Sequence, residues 1–114
     1  MKDEKLYLVH MIECAERIVS YTNQGRESFM LDTKTQDAVI RNFEIIGESA
    51  KRVSQVTRNR APKIPWGRIA GFRDILIHHY EGVDLEEVWK RVEQDLSPLL
   101  RDLRTLLSEM EKDG

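Results

Sequence analysis

Residues 32–54 read DTKTQDAVIRNFEIIGESAKRVS, and this stretch decides the fold. Val39, Phe43, Ile46, Ala50 and Val53 fall at alternating four- and three-residue steps, the spacing that lines one face of an α-helix. Thr33 and Gln36 stand at capping-box spacing ahead of the stripe and predict a helix start near Thr33. Gly47 interrupts the helix at a cost of about 1 kcal/mol relative to alanine. Its expected use is to let a neighbouring helix approach closely.

The same periodicity extends outward on both sides. Leu8, Ile12, Ala15, Ile18 or Val19, and Thr22 predict a first helix over about residues 4–22, and TNQGRES (22–28) reads as a stop and a loop. TRNRAPKIP (57–65) breaks the pattern with two prolines. Pro65 suits the opening of the next helix, where its missing N–H is not needed. That helix carries Trp66, Ile69, Phe72 and Leu76 or Ile77, and is expected to end near Tyr80 with Gly82 just beyond. Asp84 and Glu87 form a second capping-box pair, after which Val88, Val92 and Leu96 face a core. Pro98 is expected to kink or restart the helix, with Ser97 as its N-cap. Leu99, Leu103, Leu106 and Met110 carry the stripe onward. No alternating strand, internal repeat or low-complexity tract is present. The expectation is an all-α bundle of four to five helices forming a single domain over residues 1–114.

Composition narrows the function classes. Charged residues make up 33% and hydrophobic residues 40% of the 114-residue chain, the balance of a globular protein. Cys14 is the only cysteine, so neither an internal disulfide nor an all-cysteine zinc site can form. MKDEKLYLVHM at the start lacks the apolar stretch of a signal peptide, and no apolar run approaches the ~20 residues that span a bilayer. A soluble, cytoplasmic protein without a membrane partner is expected. The net charge of −2 argues against a general nucleic-acid binder. Between Glu48 and Asp74, however, there is no acidic residue, while Lys51, Arg52, Arg58, Arg60, Lys63, Arg68 and Arg73 all fall there. The segment after Glu81 is predominantly acidic. Charge pattern alone leaves two readings open: one end of the molecule attracts phosphate, or a solvated basic loop is balanced by acidic neighbours.

RDILIHHYEGVD (73–84) concentrates the chemistry. Arg73 and Tyr80, seven apart, share a helix face. His78 lies off that face, but a loosened last turn would bring all three toward one cleft, with His79 pointing elsewhere. Guanidinium binds phosphate bidentately and stabilises charge building on its oxygens. Imidazole can take or give a proton near neutrality. On RNA, removing the 2′-OH proton lets that oxygen attack the adjacent phosphorus without a metal. The competing reading is structural: histidines at a helix C-terminus satisfy loose carbonyls, and arginine stacks on tyrosine. A metal site from His78, His79 and Glu81 or Asp84 lacks the i, i+4 pairing of a helical zinc site. No metal and no cofactor is expected. His10 reads as a hydrogen-bonded packing residue and Cys14 as a small buried hydrophobe. Arg41 and Glu48, seven apart, either bridge helices or lie exposed.

Arg73, four residues, His78, one residue and Tyr80 resemble the R-x(4–6)-H-x-Y motif of HepT-like toxins in the HEPN superfamily. The likeness extends to AVIRNFEIIGESAKRVS (38–54) and to IPWGRIAGFRDILIHHYEGVDLEEVWKRVEQDLSPLL (64–100). The resemblance implies an antiparallel HEPN-type bundle that forms a two-fold homodimer, with the two Arg–His motifs facing each other. It implies a metal-independent endoribonuclease toxin with an RNA substrate, and a minimal nucleotidyltransferase antitoxin as partner. That partner silences such toxins by transferring AMP from ATP to the motif tyrosine. By this resemblance Arg73 binds and polarises the phosphate, His78 is the acid–base group and Tyr80 accepts AMP. Asp74 stands where the family often carries asparagine or another polar residue; it would orient His78 or Arg73, or weaken anion binding. Arg58, Arg60, Lys63 and Arg68 would rim the dimer cleft and hold RNA backbone. The alternative is a non-catalytic helical module that presents nucleotide or substrate to the nucleotidyltransferase. A purely structural helical dimer is the third reading.

Overall fold

The computed structural model describes residues 3–79 and 82–113. Among them the regular structure is entirely helical: α1 (Lys5–Tyr21), α2 (Arg26–Leu31), α3 (Thr33–Arg52), α4 (Gln55–Asn59), α5 (Trp66–His78) and α6 (Leu85–Asp113). The four long helices are those the periodicity predicts; α2 and α4 are short additions inside the expected loops. In the bundle α1 sits between α3 and α6, while α5 packs on α3.

The stripe on α3 fills the centre. Val39, Phe43, Ile46, Ala50 and Val53 are all buried, against Leu8, Met11, Ile12, Ala15 and Ile18 of α1 and Leu96, Leu99, Leu103 and Leu106 of α6. Cys14 is buried with them, and burial pushes its thiol pKa up. His10, expected as a hydrogen-bonded packing residue, is instead exposed on α1.

The caps differ in detail from the sequence reading. Asp32, one residue before Thr33, caps α3: its carboxylate accepts from the backbone N–H of Lys34 at 3.1 Å and of Thr35 at 3.4 Å. Gln36 does not close a capping box. Its amide donates to the carbonyls of Phe29 at 2.9 Å and Met30 at 3.1 Å, tying α3 to the end of α2. α2 itself follows Gly25, whose φ of 93° lies in the left-handed region that glycine tolerates. Phe29 from α2 is buried beside Trp89 of α6, with ring centroids 5.4 Å apart.

Ser54 caps α4, accepting from the backbone N–H of Thr57. The Glu4 carboxylate holds that turn to the start of α1, accepting from the Thr57 hydroxyl at 2.6 Å and from Ser54 N–H at 3.0 Å. Burial pushes the Glu4 pKa up, but these hydrogen bonds outweigh it and leave the pKa below its ordinary value.

α6 runs unbroken through Pro98, so Ser97 does not restart it. An interior proline costs about 3 kcal/mol. Leu96, Leu99, Leu100 and Leu103 are buried on both sides of it, each worth up to about 1.5–3 kcal/mol on folding. Stopping the helix would forfeit more than the proline costs. At its start, Asp84 accepts from the backbone N–H groups of Glu86 at 3.0 Å and Glu87 at 3.3 Å.

α5 is placed by two features of α3. Gly47 faces Arg73 so closely that a methyl group built on it would overlap the Arg73 Cβ and lie 3.1 Å from the Ile69 carbonyl oxygen. One turn away, Phe43 and Phe72 meet edge to face at 5.3 Å. At its start, Pro65 is the N-cap and Trp66 the first helical residue. Trp66 is buried; its indole N–H donates to the Ala61 carbonyl at 3.1 Å, and the Arg58 guanidinium lies 6.0 Å over its ring. Arg58 also donates to the carbonyls of Ala50 at 2.8 Å and Val53 at 3.1 Å, satisfying the last turn of α3.

Two stability predictions follow from these contacts. Gly47→Ala should lower unfolding free energy by about 1–2 kcal/mol in urea titration, because overpacking exceeds the gain in helix propensity. An unchanged midpoint would mean that α3 and α5 do not meet at this position. Arg58→Ala should cost about 1–2 kcal/mol through the lost carbonyl hydrogen bonds, and an unperturbed melt would remove Arg58 from the α3 terminus.

Candidate functional site at the α3–α5 crossing

Arg73 sits in the middle of α5 with its Cβ against Gly47, so its stem lies on α3 and its guanidinium reaches the carboxylate next to that glycine. Two carboxylates hold it there. Arg73 Nη2 lies 2.8 Å from Glu48 Oε2, and Nη1 lies 3.2 Å from Asp74 Oδ1. Each carboxylate has a second cation. Lys51 Nζ is 2.6 Å from Asp74 Oδ1, and Arg52 Nη2 is 3.2 Å from Glu48 Oε1. The result is a chain of alternating charge, Arg52–Glu48–Arg73–Asp74–Lys51, laid across the crossing. The Lys51 ammonium, with Arg73 adding to it, holds the Asp74 carboxyl below the usual aspartate range. Arg73 is the most enclosed member, its side chain 25% exposed. It retains N–H donors beyond those the two carboxylates engage.

Glu48, paired with Arg73, and Lys51, paired with Asp74, are the partners that the sequence reading did not assign. Their signal was present: they follow Gly47 by one and four residues, hence flank the face where a close neighbour was expected. Arg41, the other suggested partner of Glu48, instead pairs with Glu44 at 3.5 Å. For Asp74, the structure gives contacts to Arg73 and Lys51; none of its hydrogen bonds reaches His78.

His78 is the last residue of α5 and its side chain is exposed. The helix keeps its form to this point, with His79 as C-cap donating its N–H to the Ile75 carbonyl at 3.1 Å. The turn expected to run on to Tyr80 lies in part outside the described residues. Five residues along a regular helix separate Arg73 from His78 by about 7.5 Å of rise and well over a quarter turn. Among the described residues no hydrogen bond joins the two. His79 lines a recess between α5 and α6 with Phe72, Leu76, Val83 and Val88. Tyr80 and Glu81 lie outside the described residues.

The remaining basic residues gather at the other end of α5. Arg68 is ten residues before His78, about 15 Å along the helix. Its guanidinium reaches within 4.0 Å of Asp95. Arg60 pairs with Asp113 at 2.6 Å, and with Lys63 it borders an open cleft of about 400 Å³ against Arg101, Asp102 and Glu109. Arg58 serves the α3 terminus, as described above. One chain thus does not place Arg58, Arg60, Lys63 and Arg68 around the Arg73–His78 pair.

Ile75, on the same helix as Arg73, is 54% exposed. Beside it Phe72 lines apolar recesses on both flanks of α5, one with Phe43, Ile69, Leu96 and Leu99, the other with Leu76 and Val88. Only Trp66 and Leu76 of this helix are buried. Among the described residues no three His, Cys, Asp or Glu side chains converge as a metal site, and no helix is long and apolar enough to cross a membrane.

The family model for ribonuclease HepT-like proteins matches residues 11–106. A Methanocaldococcus jannaschii protein described as a gamma-glutamylcyclotransferase and candidate RNase is 41% identical over 113 residues; the match takes in 98% of this chain and 51% of that protein. A probable ribonuclease HepT of Thermococcus cleftensis is 42% identical over 99 residues, 86% of this chain and 90% of that one. A further candidate RNase of M. jannaschii is 34% identical over 111 residues, covering 96% and 92%. No solved structure matches the chain significantly. With the family model spanning residues 11–106 and the T. cleftensis relative matched over 90% of its own length, the chain belongs to the ribonuclease HepT-like family.

Proposed function

We propose that this protein is a toxin endoribonuclease that cleaves RNA without a metal, using Arg73 and His78. The observation that carries the reading is the arginine held between two carboxylates at Gly47 on the helix that ends in an exposed histidine. The family assignment and the ribonuclease names of its relatives support the same class.

In this reaction His78 takes the proton from a ribose 2′-OH, and the freed oxygen attacks the neighbouring phosphorus. The P–O5′ bond breaks, a 2′,3′-cyclic phosphate forms, and the leaving 5′ oxygen receives a proton. Arg73 binds the non-bridging oxygens and stabilises the charge that builds on them. An arginine already oriented by fixed partners loses little freedom when the phosphate arrives.

Arg73 and His78 project in different directions from one helix, which supports a site completed by a second copy. In a two-fold homodimer the arginine of one protomer and the histidine of its partner could meet one phosphate. Exposed Ile75 and the apolar recesses beside Phe72 supply the surface for that contact. Arg60, Lys63 and Arg68 would then take flanking RNA backbone, with Arg58 already engaged on main-chain carbonyls.

Tyr80 is the proposed AMP acceptor, with a minimal nucleotidyltransferase antitoxin as the donor enzyme. The phenol oxygen would attack the α-phosphorus of ATP and release pyrophosphate. The added nucleotide would bring bulk and negative charge close to the phosphate position.

The test is cleavage of labelled single-stranded RNA and tRNA in excess EDTA, with Tyr80 first shown unmodified by intact mass. Wild type should cleave, and His78→Ala should lose about 10²–10⁴-fold in rate while keeping its oligomeric state. No cleavage by unmodified wild type, or equal cleavage by His78→Ala, would overturn the assignment and favour a non-catalytic partner of the nucleotidyltransferase.

A further inference from the structure

A carboxylate directly beside a phosphate-binding arginine should repel the substrate, and Asp74 stands there, 3.2 Å from Arg73 Nη1. Its neighbour across the crossing is Lys51, whose ammonium lies 2.6 Å from the same Asp74 oxygen that faces Arg73. We infer that Lys51 is a positioning residue for the ribonuclease site: it occupies and neutralises Asp74, leaving the charge of Arg73 available to RNA phosphate. The inference rests on the proposed reading of Arg73 as the phosphate-binding group.

Three features carry it. Lys51 reaches Asp74 from α3, a separate helix, so the pair is a tertiary contact and not a local helix pairing. The two side chains are 40% and 45% exposed, too open for the pair to contribute much to folding. Glu48 is likewise shared between Arg73 and a second cation, but that cation, Arg52, lies one turn along the same helix. Lys51 is therefore the one further cation that reaches its carboxylate from another helix.

A double-mutant cycle reads this directly. A fluorescein-labelled 2′-O-methyl RNA, which has no 2′-OH to react, is titrated by anisotropy into wild type, Lys51→Met, Asp74→Asn and the double variant. Cleavage kinetics on unmodified RNA and melting temperatures are recorded in parallel. Lys51→Met should weaken binding and raise KM by about three- to tenfold, with kcat and melting temperature nearly unchanged. In the Asp74→Asn background the same substitution should cost less than twofold, and Lys51→Arg should bind as wild type does. An equal loss in both backgrounds would make Lys51 a direct phosphate contact and overturn the inference. A loss that follows melting temperature, or no binding by wild type, would overturn it as well. Coupling seen in binding without any cleavage would uphold the role of Lys51 and remove the nuclease reading.

Discussion

The contact on which the site depends is the one between Gly47 and Arg73. A glycine inside a twenty-residue helix weakens that helix, yet it lets α5 press its backbone and an arginine stem onto α3. With any larger residue the two helices would separate, and the ion pairs that span them would stretch. Because Arg73 Cβ rests on Gly47, Glu48 is automatically at hand for its guanidinium, and Lys51 one turn on is at hand for Asp74. A single missing side chain thus fixes both the packing of α5 and the electrostatics around its arginine.

The charge arrangement is compatible with the proposed phosphate site in a mildly acidic chain. Its net charge of −2 is spread widely, with acidic residues concentrated after Glu81. At the α3–α5 crossing the charges alternate, so each carboxylate is offset by cations on both sides. Oriented cations in a partly enclosed setting act more strongly on an arriving anion than freely solvated ones. α5 supports this placement by being apolar around much of its circumference. One side meets α3, and the other leaves Ile75 exposed.

The long helices were legible because their apolar residues recur over several turns. All five residues of the α3 stripe are buried, and Gly47 serves the close approach its position suggested. Helices of five and six residues make too few turns to show a period, which hid α2 and α4; Ser54 and Phe29 were their only clear marks. Thr33 was mistaken for the cap because Asp32 beside it is an equally good one, and only backbone geometry separates them. Pro98 misled for a different reason: local propensity argued for a break, while buried leucines on both sides of it argued for continuity. Around the proposed site, the different faces of Arg73 and His78 were legible from helical spacing, but the ion pairs of Arg73 with Glu48 and of Lys51 with Asp74 were not. Arg58 looked available for RNA by charge alone; its two carbonyl partners appear only in three dimensions.

The most direct measurement is a crystal structure of the unmodified protein with a short 2′-O-methyl RNA. The account predicts a backbone phosphate on the Arg73 N–H groups left open by Glu48 and Asp74, with both ion pairs and the Gly47 contact retained, and a His78 imidazole near the 2′ oxygen. A phosphate bound elsewhere, or an Arg73 that must leave Glu48 to reach it, would contradict the claim that the α3–α5 crossing presents this arginine to RNA.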